Sequence, residues 1–428
     1  MALLAFLTGT QDTRLMRLAF ITDELPRAGV AGHLAFNAAV THWLRAQGHE
    51  VVVVLVRPRL RWPVERFING AVVGPGVVYW DGRVICWGPR HIAAILAKRA
   101  LASLPTWLGE MLRTRGRGPR YGIVDAILGA FLTPVQVRWC ADKLTALQPD
   151  AVLVDTIFRS PVLDDPQICR MRRVIFTHDL FHQRHRILAS AGYRLHPAEL
   201  SREMEAVYLN KADVISAIQP AEAAEIRTMC PNRQVIVNPM PAIPCPRPAH
   251  VQRRSERLVF IGGDTLPNRD GLLWFFEEIW PRLRSWRATV TLDLVGDCIQ
   301  SLRSVPTGVH RVGRVPDLAR ILHEARLAIS PLRVGSGLKL KILDYARHGL
   351  RTVATPMSLE GFADDPQAPF ITASDSLAFS EAIQRYLAAL VSITDEAEAL
   401  RYVERHYGID KSFGSLTAYL AAPIRQTV

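Results

Sequence analysis

A loop of small residues is the first candidate for chemistry in this chain. Gly335, Ser336 and Gly337 follow a predicted strand over residues 326–330. They precede an apolar-periodic segment that predicts a helix starting near Gly337 and stopping at Gly349. Small residues let backbone N–H groups approach an anion, and the helix dipole favours negative charge there. The loop therefore predicts an anion site, although a plain turn has a similar composition.

Charged side chains follow the same loop closely. Arg333, Lys339 and Lys341 supply three cations within nine residues, and Asp344 lies one to two turns into the predicted helix. A carboxylate at that place can accept hydrogen bonds from hydroxyls. These residue types predict a diphosphate held by the loop and the cations, with a sugar or ribose held by the acid. The cations and loop amides could stabilise a diphosphate leaving group without a metal.

The run from Gly335 to Gly361, GSGLKLKILDYARHGLRTVATPMSLEG, resembles the donor-binding signature of retaining glycosyltransferases of the GT-B fold, specifically glycosyltransferase family 4. The resemblance implies that a nucleoside-diphosphate-sugar binds between two Rossmann-like domains and that its sugar is transferred with retention of configuration. The family often carries two glutamates eight positions apart, where this chain has Ser336 and Asp344. Asp344 keeps the charge with a shorter reach toward the ribose, and Ser336 removes an acid near the sugar.

Three further segments extend the donor site. Gly262 and Gly263 follow a predicted strand and permit close approach of a ligand. The Pro-Asn pair that ends at Asn268, followed by a helix, resembles a family 4 feature, and the loop from Gly313 to Val315 matches the place where that family contacts the nucleobase. The predicted donor-binding residues are Gly262, Gly263, Asn268, Gly313, Arg314, Val315, Arg333, Gly335, Ser336, Gly337, Lys339, Lys341 and Asp344.

The N-terminal half predicts a second doubly wound domain. A strand over 17–22, a glycine loop, a helix over 33–47 and a strand over 50–56 give its opening order. The glycine loop matches a dinucleotide-binding fingerprint poorly, so no NAD site is expected, and a tight turn is the alternative.

A predicted strand over 173–177 ends in His178-Asp179, where α/β folds place their chemistry. This segment resembles the His-Asp segments that face the cleft in the family, which implies that His178 contacts the sugar or the acceptor. The catalytic candidates are therefore His178, Lys341 and Asp344. The candidates on the N-terminal side of the cleft are Gly29, Gly32, Asp155, Asp179 and Arg184.

The fold class expected is α/β, with two Rossmann-like doubly wound domains facing a cleft. A proline-rich segment marks the domain boundary, because proline favours extended backbone. The predicted division is an extension over 1–15, an acceptor domain over 16–240, a linker over 241–256, a donor domain over 257–405 and a crossover helix over 406–428 that returns to the N-terminal domain.

Composition describes an ordinary globular protein, with 49% hydrophobic and 21% charged residues and a net charge of +12. Residues 57–120 carry 12 basic and 3 acidic side chains, a net charge of +9, together with several tryptophans. Such a segment suits an anionic membrane surface near a lipid-linked acceptor, although a normal domain helix with a solvated basic face is the alternative. No nucleic-acid motif accompanies the charge, so nucleic acid is not an expected partner.

Six scattered cysteines without a CxxC pair, no bilayer-length apolar run and no basic residue ahead of the first apolar patch favour a cytoplasmic protein, peripheral to the membrane at most. No DxD motif is present, the adjacent pairs at 164–165 and 364–365 are expected to be solvated, and neither metal nor cofactor is expected beyond the nucleotide-sugar substrate. The expected partners are that donor and a glycan or lipid-linked acceptor. Two alternatives are a nucleotide-sugar 2-epimerase of the same fold and a non-catalytic membrane-associated binding protein.

Overall fold

The computed structural model describes residues 15–27, 32–103, 124–125, 130–190, 195–196, 200–300, 302–335, 337–389 and 393–423. Three predictions lie wholly or largely outside these residues: the glycine-loop assignment of Gly29, the anion-site assignment of Ser336, and the extension over residues 1–15. The part of the basic region that follows residue 103 also lies outside the described residues.

Two parallel sheets form the scaffold of the described chain. The strands are β1 Arg17–Thr22, β2 Glu50–Leu55, β3 Val64–Arg66, β4 Ala71–Val73, β5 Val77–Trp80, β6 Arg83–Cys86, β7 Val124–Asp125, β8 Ala151–Asp155, β9 Arg172–Phe176, β10 Leu195–His196, β11 Val214–Ala217, β12 Gln234–Val237, β13 Arg257–Ile261, β14 Thr291–Val295, β15 Val309–Gly313, β16 Leu327–Ser330, β17 Thr352–Ala354 and β18 Phe370–Thr372. The first sheet has the order β12-β11-β9-β8-β1-β2-β4, and the second has the order β15-β14-β13-β16-β17-β18. Two smaller sheets, β10-β7 and β3-β6-β5, accompany them.

Helices cover both faces of the two large sheets. The α-helices are α1 Gly32–Ala46, α2 Pro89–Ser103, α3 Pro134–Leu147, α4 Phe181–Ser190, α5 Arg202–Leu209, α6 Pro220–Met229, α7 Leu266–Trp274, α8 Trp280–Trp286, α9 Leu318–Glu324, α10 Leu340–Arg347, α11 Pro356–Leu359, α12 Ser376–Ala388, α13 Ile393–Tyr407 and α14 Ile409–Ala421. A π-helical turn, Phe275–Ile279, joins α7 to α8. No helix within the described ranges combines the length and the apolar character that a bilayer crossing needs.

Burial explains why the strands are apolar throughout. Along β8, Val152 and Val154 pack into the core on one face of the sheet, while Ala151 and Leu153 pack into the core on the other. A parallel sheet covered on both faces needs such continuous apolar runs. The predicted fold class, with two doubly wound domains, is confirmed.

The last helix crosses back to the N-terminal domain, as predicted. Phe413 of α14 is fully buried in the core that contains Phe36 of α1, at 5.8 Å between ring centroids. Trp43 Nε1 of α1 donates a hydrogen bond to Thr417 Oγ1 at 3.2 Å. The N-terminal core therefore includes residues from the far end of the chain.

One boundary prediction near the candidate site was wrong. The helix expected to start near Gly337 begins at Leu340. Gly337 has φ +69° and Gly335 has φ +139°, both outside the right-handed helical region. Gly335 and Gly337 therefore precede the first turn of α10 and do not belong to it.

Replacing Phe413 with Ala should destabilise the protein by about 3–5 kcal/mol, because the cavity lies in a core shared by α1 and α14. Denaturant unfolding followed by tryptophan fluorescence measures the change. Leu377→Ala, at a side chain that is 51% exposed, is the matched control and should change stability by less than about 0.5 kcal/mol. Equal effects of the two substitutions would contradict the crossover packing.

Candidate functional site

The loop that follows β13 has room only for glycine at its first position. A Cβ on Gly262 would lie 2.8 Å from Asn268 Nδ2 and 2.8 Å from the Phe260 ring. Asn268, in the first turn of α7, donates from Nδ2 to the carbonyl of Gly263 at 2.9 Å. The glycine pair and the asparagine therefore form one unit at the carboxyl end of a central strand.

Lys341 of α10 joins this unit through its ammonium group. Its Nζ donates to Asn268 Oδ1 at 2.5 Å and lies 4.0 Å from the centroid of the Phe260 ring. Burial lowers the pKa of Lys341 to about 7; Cys298 opposes this shift and the neighbouring Lys339 adds to it. Among the described residues, no carboxylate lies within ion-pair distance of Lys341, so its counter-charge is missing.

Lys339, just ahead of α10, is also buried but faces acidic side chains. Its Nζ lies 3.8 Å from Glu360 Oε2. Burial lowers the pKa of Lys339, while the charges of Glu360, Asp179 and Glu222 raise it. Since Asp179 and Glu222 belong to the N-terminal half, Lys339 lies where the two halves of the chain meet.

The glycine loop lies close to the N-terminal domain. A Cβ on Gly337 would lie 3.6 Å from Asp179 Cγ and 3.6 Å from the carbonyl oxygen of His178. A Cβ on Gly32, at the start of α1, would lie 3.0 Å from a methyl carbon of Leu340. The predicted donor loop and the predicted acceptor residues are therefore brought together.

His178 is buried and oriented by an acid on the neighbouring strand. Its Nε2 lies 2.8 Å from Asp155 Oδ1, and Asp155 Oδ2 accepts from Thr22 Oγ1 at 2.7 Å. Burial disfavours the charged form of Asp155, but the hydrogen bond from His178 and nearby positive charge outweigh it and hold the pKa of Asp155 below its usual range. Because the carboxylate only accepts, Nε2 of His178 donates, and Nδ1 is left as an acceptor. This Nδ1 is buried and has no hydrogen-bond partner in the described part of the chain.

Aromatic and acidic neighbours fix the His178 loop further. The ring of Phe36 contacts that of His178 edge-on at 5.5 Å between centroids, and His33 lies at 5.9 Å. Burial lowers the pKa of His33 to about 4, so this second ring is neutral near pH 7. Glu205 is buried and accepts from the backbone N–H groups of Phe181 and His182 at 3.0 and 2.9 Å, which anchors the start of α4.

Glu205 and Glu222 were not predicted as site residues. Glu222, in the first turn of α6, accepts from Gln219 Nε2 at 2.8 Å, and its Oε2 is buried without a partner within the described ranges. Burial raises the pKa of Glu222 to about 8, and Asp179 contributes in the same direction. Glu205 has its partners 24 and 23 residues away, so no local pattern identifies it, whereas Glu222 has a hydrogen-bond partner three residues earlier in the chain. From the sequence alone, each residue could be recognised only as a glutamate in the first turn of its own helix, α5 for Glu205 and α6 for Glu222.

The remaining predicted residues have other partners. Arg333 is paired with Asp270 at 2.7 Å and lines a cavity of about 520 Å³ together with Trp274 and Thr355. Arg184 donates to Asp179 Oδ2 at 3.3 Å.

The loop predicted to contact the nucleobase and the acid predicted to bind the ribose make few contacts with the other predicted site residues. Arg314 is exposed and pairs with Asp297, Gly313 ends β15 with φ +75°, and Val315 lies in the loop that follows. Asp344 lies 3.8 Å from Arg347, and burial raises the pKa of Asp344 to about 6.

Comparison with known sequences finds a family match in the C-terminal half of the chain. Residues 255–389 match the family model described as glycosyl transferases group 1. A protein of Klebsiella pneumoniae, described as an uncharacterized 44.6 kDa protein in the cps region, is 23% identical over 172 residues, which is 37% of this chain and 44% of that protein. The match thus spans less than half the length of this curated relative.

Comparison with solved structures covers nearly the whole chain. Sucrose-phosphate synthase of Thermosynechococcus elongatus aligns with a TM-score of 0.63 at 16% identity over 95% of this chain and 99% of that one. TarM of S. aureus, solved with alpha-GlcNAc-glycerol and UDP, aligns with a TM-score of 0.60 at 10% identity over 96% and 100%. HepE of Anabaena, solved with UDP-glucose, aligns with a TM-score of 0.56 at 11% identity over 95% and 99%. The chain therefore has the GT-B fold of these glycosyltransferases, and residues 255–389 carry the sequence pattern of glycosyl transferases group 1.

Proposed function

We propose that this chain is a glycosyltransferase that moves a sugar from a nucleoside-diphosphate-sugar to a glycan or lipid-linked acceptor, with retention of configuration and without a catalytic metal. The observation that carries this proposal is the part-buried ammonium of Lys341, held by Asn268 beside Gly262 and Gly263. A charge withdrawn from water is costly unless it is paired, and the described residues offer Lys341 an amide oxygen and the face of the Phe260 ring but no carboxylate. A ligand anion is the natural counter-charge.

A diphosphate fits this cation better than a carboxylate does. The glycine pair lets a bulky ligand approach the backbone, and the Lys341 ammonium lies at the carboxyl end of β13, where open α/β sheets bind phosphates. As the sugar–phosphate bond breaks, negative charge grows on the departing diphosphate. Lys341, with Lys339 and the amides of the loop at Gly335–Gly337, would stabilise that charge in a buried site.

The acceptor side is built around His178. With Nε2 donating to Asp155, the Nδ1 atom can accept a hydrogen bond from a hydroxyl of the sugar or of the acceptor. Thr22 holds the other carboxylate oxygen, so the ring has one orientation. Gly337 lies so near this segment that an added Cβ would be in van der Waals contact with it, which supports a sugar bound between His178 and the lysines.

The acceptor class is supported by the surface of the basic region. Trp62, Trp80 and Trp87 are 51%, 65% and 63% exposed, and the guanidinium of Arg99 lies 3.1 Å from the centroid of the Trp62 ring. Exposed tryptophans among arginines suit an anionic lipid surface. We therefore place the enzyme at the cytoplasmic membrane face, acting on a lipid-linked or surface-polysaccharide acceptor. The relative encoded in a cps region supports the same process.

Donor binding should depend on Lys341. In titration calorimetry with UDP, GDP, ADP and dTDP, one nucleotide should bind the native protein, and Lys341→Met should weaken it about 10–100-fold through loss of a charged hydrogen bond. Lys143→Met, at an exposed lysine, is the control and should bind normally. Binding of none of these nucleotides by folded protein would favour the non-catalytic alternative.

The same affinity should fall as pH rises. Free Lys341 loses its proton above about pH 7, whereas the bound diphosphate requires the charged form. The dissociation constant should therefore increase up to about tenfold per pH unit above 7, until the pKa of the bound state is reached. The phosphates are already ionised in this range. Lys341→Met should remove the slope, and an unchanged slope in that variant would assign the proton to another group.

His178→Ala should separate binding from turnover. We expect the nucleotide dissociation constant to change less than about twofold, while release of nucleotide from the sugar donor slows about 100-fold, as for loss of a positioned polar group. His42→Ala, at an exposed histidine of α1, should leave both unchanged. Normal turnover in His178→Ala would remove the histidine from the mechanism.

A further inference from the structure

A cysteine and two histidines meet at the end of α10 that is remote from the glycine loop. Cys245 belongs to the extended segment after β12, His323 to the last turn of α9, and His348 follows α10 directly. The sulfur and one ring nitrogen of each histidine lie within 4.8 Å of one another. Both histidines are buried, Cys245 is half-buried, and its thiol is not in a disulfide.

Backbone carbonyls fix the tautomer of both rings. His323 Nε2 lies 3.0 Å from the carbonyl oxygen of Cys245, and His348 Nδ1 lies 2.7 Å from that of Asp344. A carbonyl can only accept, so each of these nitrogens donates its proton. The second nitrogen of each ring keeps its electron pair, which is the arrangement that metal-binding histidines adopt.

The backbone of the residues that would bind the metal is already held in place. The amide of Cys245 donates to the carbonyl of Arg347 at 2.7 Å, which ties the extended segment to the end of α10. Arg253 donates to the carbonyls of His348 and Gly349 at 3.2 and 2.9 Å. Ligands fixed in this way lose little conformational freedom when an ion binds.

The types of ligand atom in this cluster decide which metal ion suits it. One thiolate and two imidazoles suit zinc, a borderline-soft cation that accepts sulfur and nitrogen ligands and leaves a fourth position to water. With ordinary zinc bond lengths the ligand atoms of a tetrahedral site lie about 3.3–3.8 Å apart. Side-chain adjustments of about 1 Å or less would bring the three atoms from their present separations, all within 4.8 Å, to that distance.

We propose that Cys245, His323 and His348 bind one zinc ion that fastens the segment between the two domains to the donor domain. The site lies about 12 Å along α10 from the start of that helix, so it is separate from the lysines of the donor cleft. Its role is structural, and the inference does not depend on the proposed transferase activity. It also departs from the sequence-based expectation of no metal, because Cys245, His323 and His348 are far apart in the chain and share no spacing motif.

The test uses full-length protein treated with a chelator and dialysed, then titrated with cobalt(II) or zinc. We expect one ion per chain, a visible cobalt spectrum of tetrahedral type, and a thiolate-to-cobalt charge-transfer band in the near ultraviolet. Cys245→Ser should abolish the charge-transfer band and weaken zinc binding at least about tenfold. Zinc should raise the unfolding midpoint of the unsubstituted protein and not that of the variant.

Two controls keep the outcome decisive. Cys169→Ser, at the exposed cysteine of the N-terminal domain, and His42→Gln should bind the metal like the unsubstituted protein. Substoichiometric binding, or equal binding by Cys245→Ser, would overturn the proposal. Serine is nearly isosteric with cysteine, so folding of the variant is expected and is checked by circular dichroism. If Cys245→Ser loses the metal while nucleotide binding persists, the zinc site stands independently of the donor site.

Discussion

The candidate site is organised around one part-buried ammonium group that has no carboxylate partner among the described residues. Lys341 lies at the carboxyl end of the C-terminal sheet, bonded to Asn268 and stacked on Phe260. Desolvation makes its charged form unfavourable, as the lowered pKa shows. A protein core would more readily accept an apolar residue at this position. Under the proposed function, a bound anion would supply the opposite charge that the described residues do not provide.

The neighbouring residues follow from that constraint. Gly262 must lack a side chain for Asn268 to reach the loop, and Asn268 must reach the loop to hold Lys341. Gly335 and Gly337 adopt conformations that other residues rarely take, and Gly337 lies against the His178 segment. Catalysis by such a site would come from position and charge rather than from a strong acid or nucleophile.

The two halves of the chain meet through polar and small residues. A side chain at Gly361 of the donor half would clash with Gln219 of the N-terminal half, and Lys339 lies among acids from both. The buried contact of Phe413 with Phe36 connects the end of the chain to the first domain. The residues predicted for the donor and acceptor sides therefore lie together where the two halves of the chain meet.

Much of the fold could be predicted from sequence because buried parallel strands are continuous apolar runs. The predicted bounds of β1 match the structure, and those of β9 differ by one residue at each end. His178 and Asp155 were found because strand ends are local features that converge in this fold. The start of α10 was wrong because glycine at Gly337 permits a left-handed turn that a periodicity argument does not detect.

Contacts between distant segments explain what the sequence did not predict. Glu205 caps a helix that begins 24 residues before it. The charge of Glu222 acts on Lys339, which belongs to the other half of the chain. The residues of the proposed zinc site come from three segments without a recognisable spacing. Such groups become visible only when the chain is folded, because nothing in their local sequence requires a partner.

The central claim is that Lys341 is a part-buried cation that binds the diphosphate of the donor, and nuclear magnetic resonance of lysine labelled at its side chain tests it directly. The Lys341 signal, assigned by its loss in Lys341→Met, should titrate near pH 7 in the free protein. Saturation with the nucleoside diphosphate that binds should raise this pKa by about one unit or more, since an adjacent opposite charge favours the ammonium form. A free-protein pKa near that of an exposed lysine, or no change on nucleotide binding, would contradict the account.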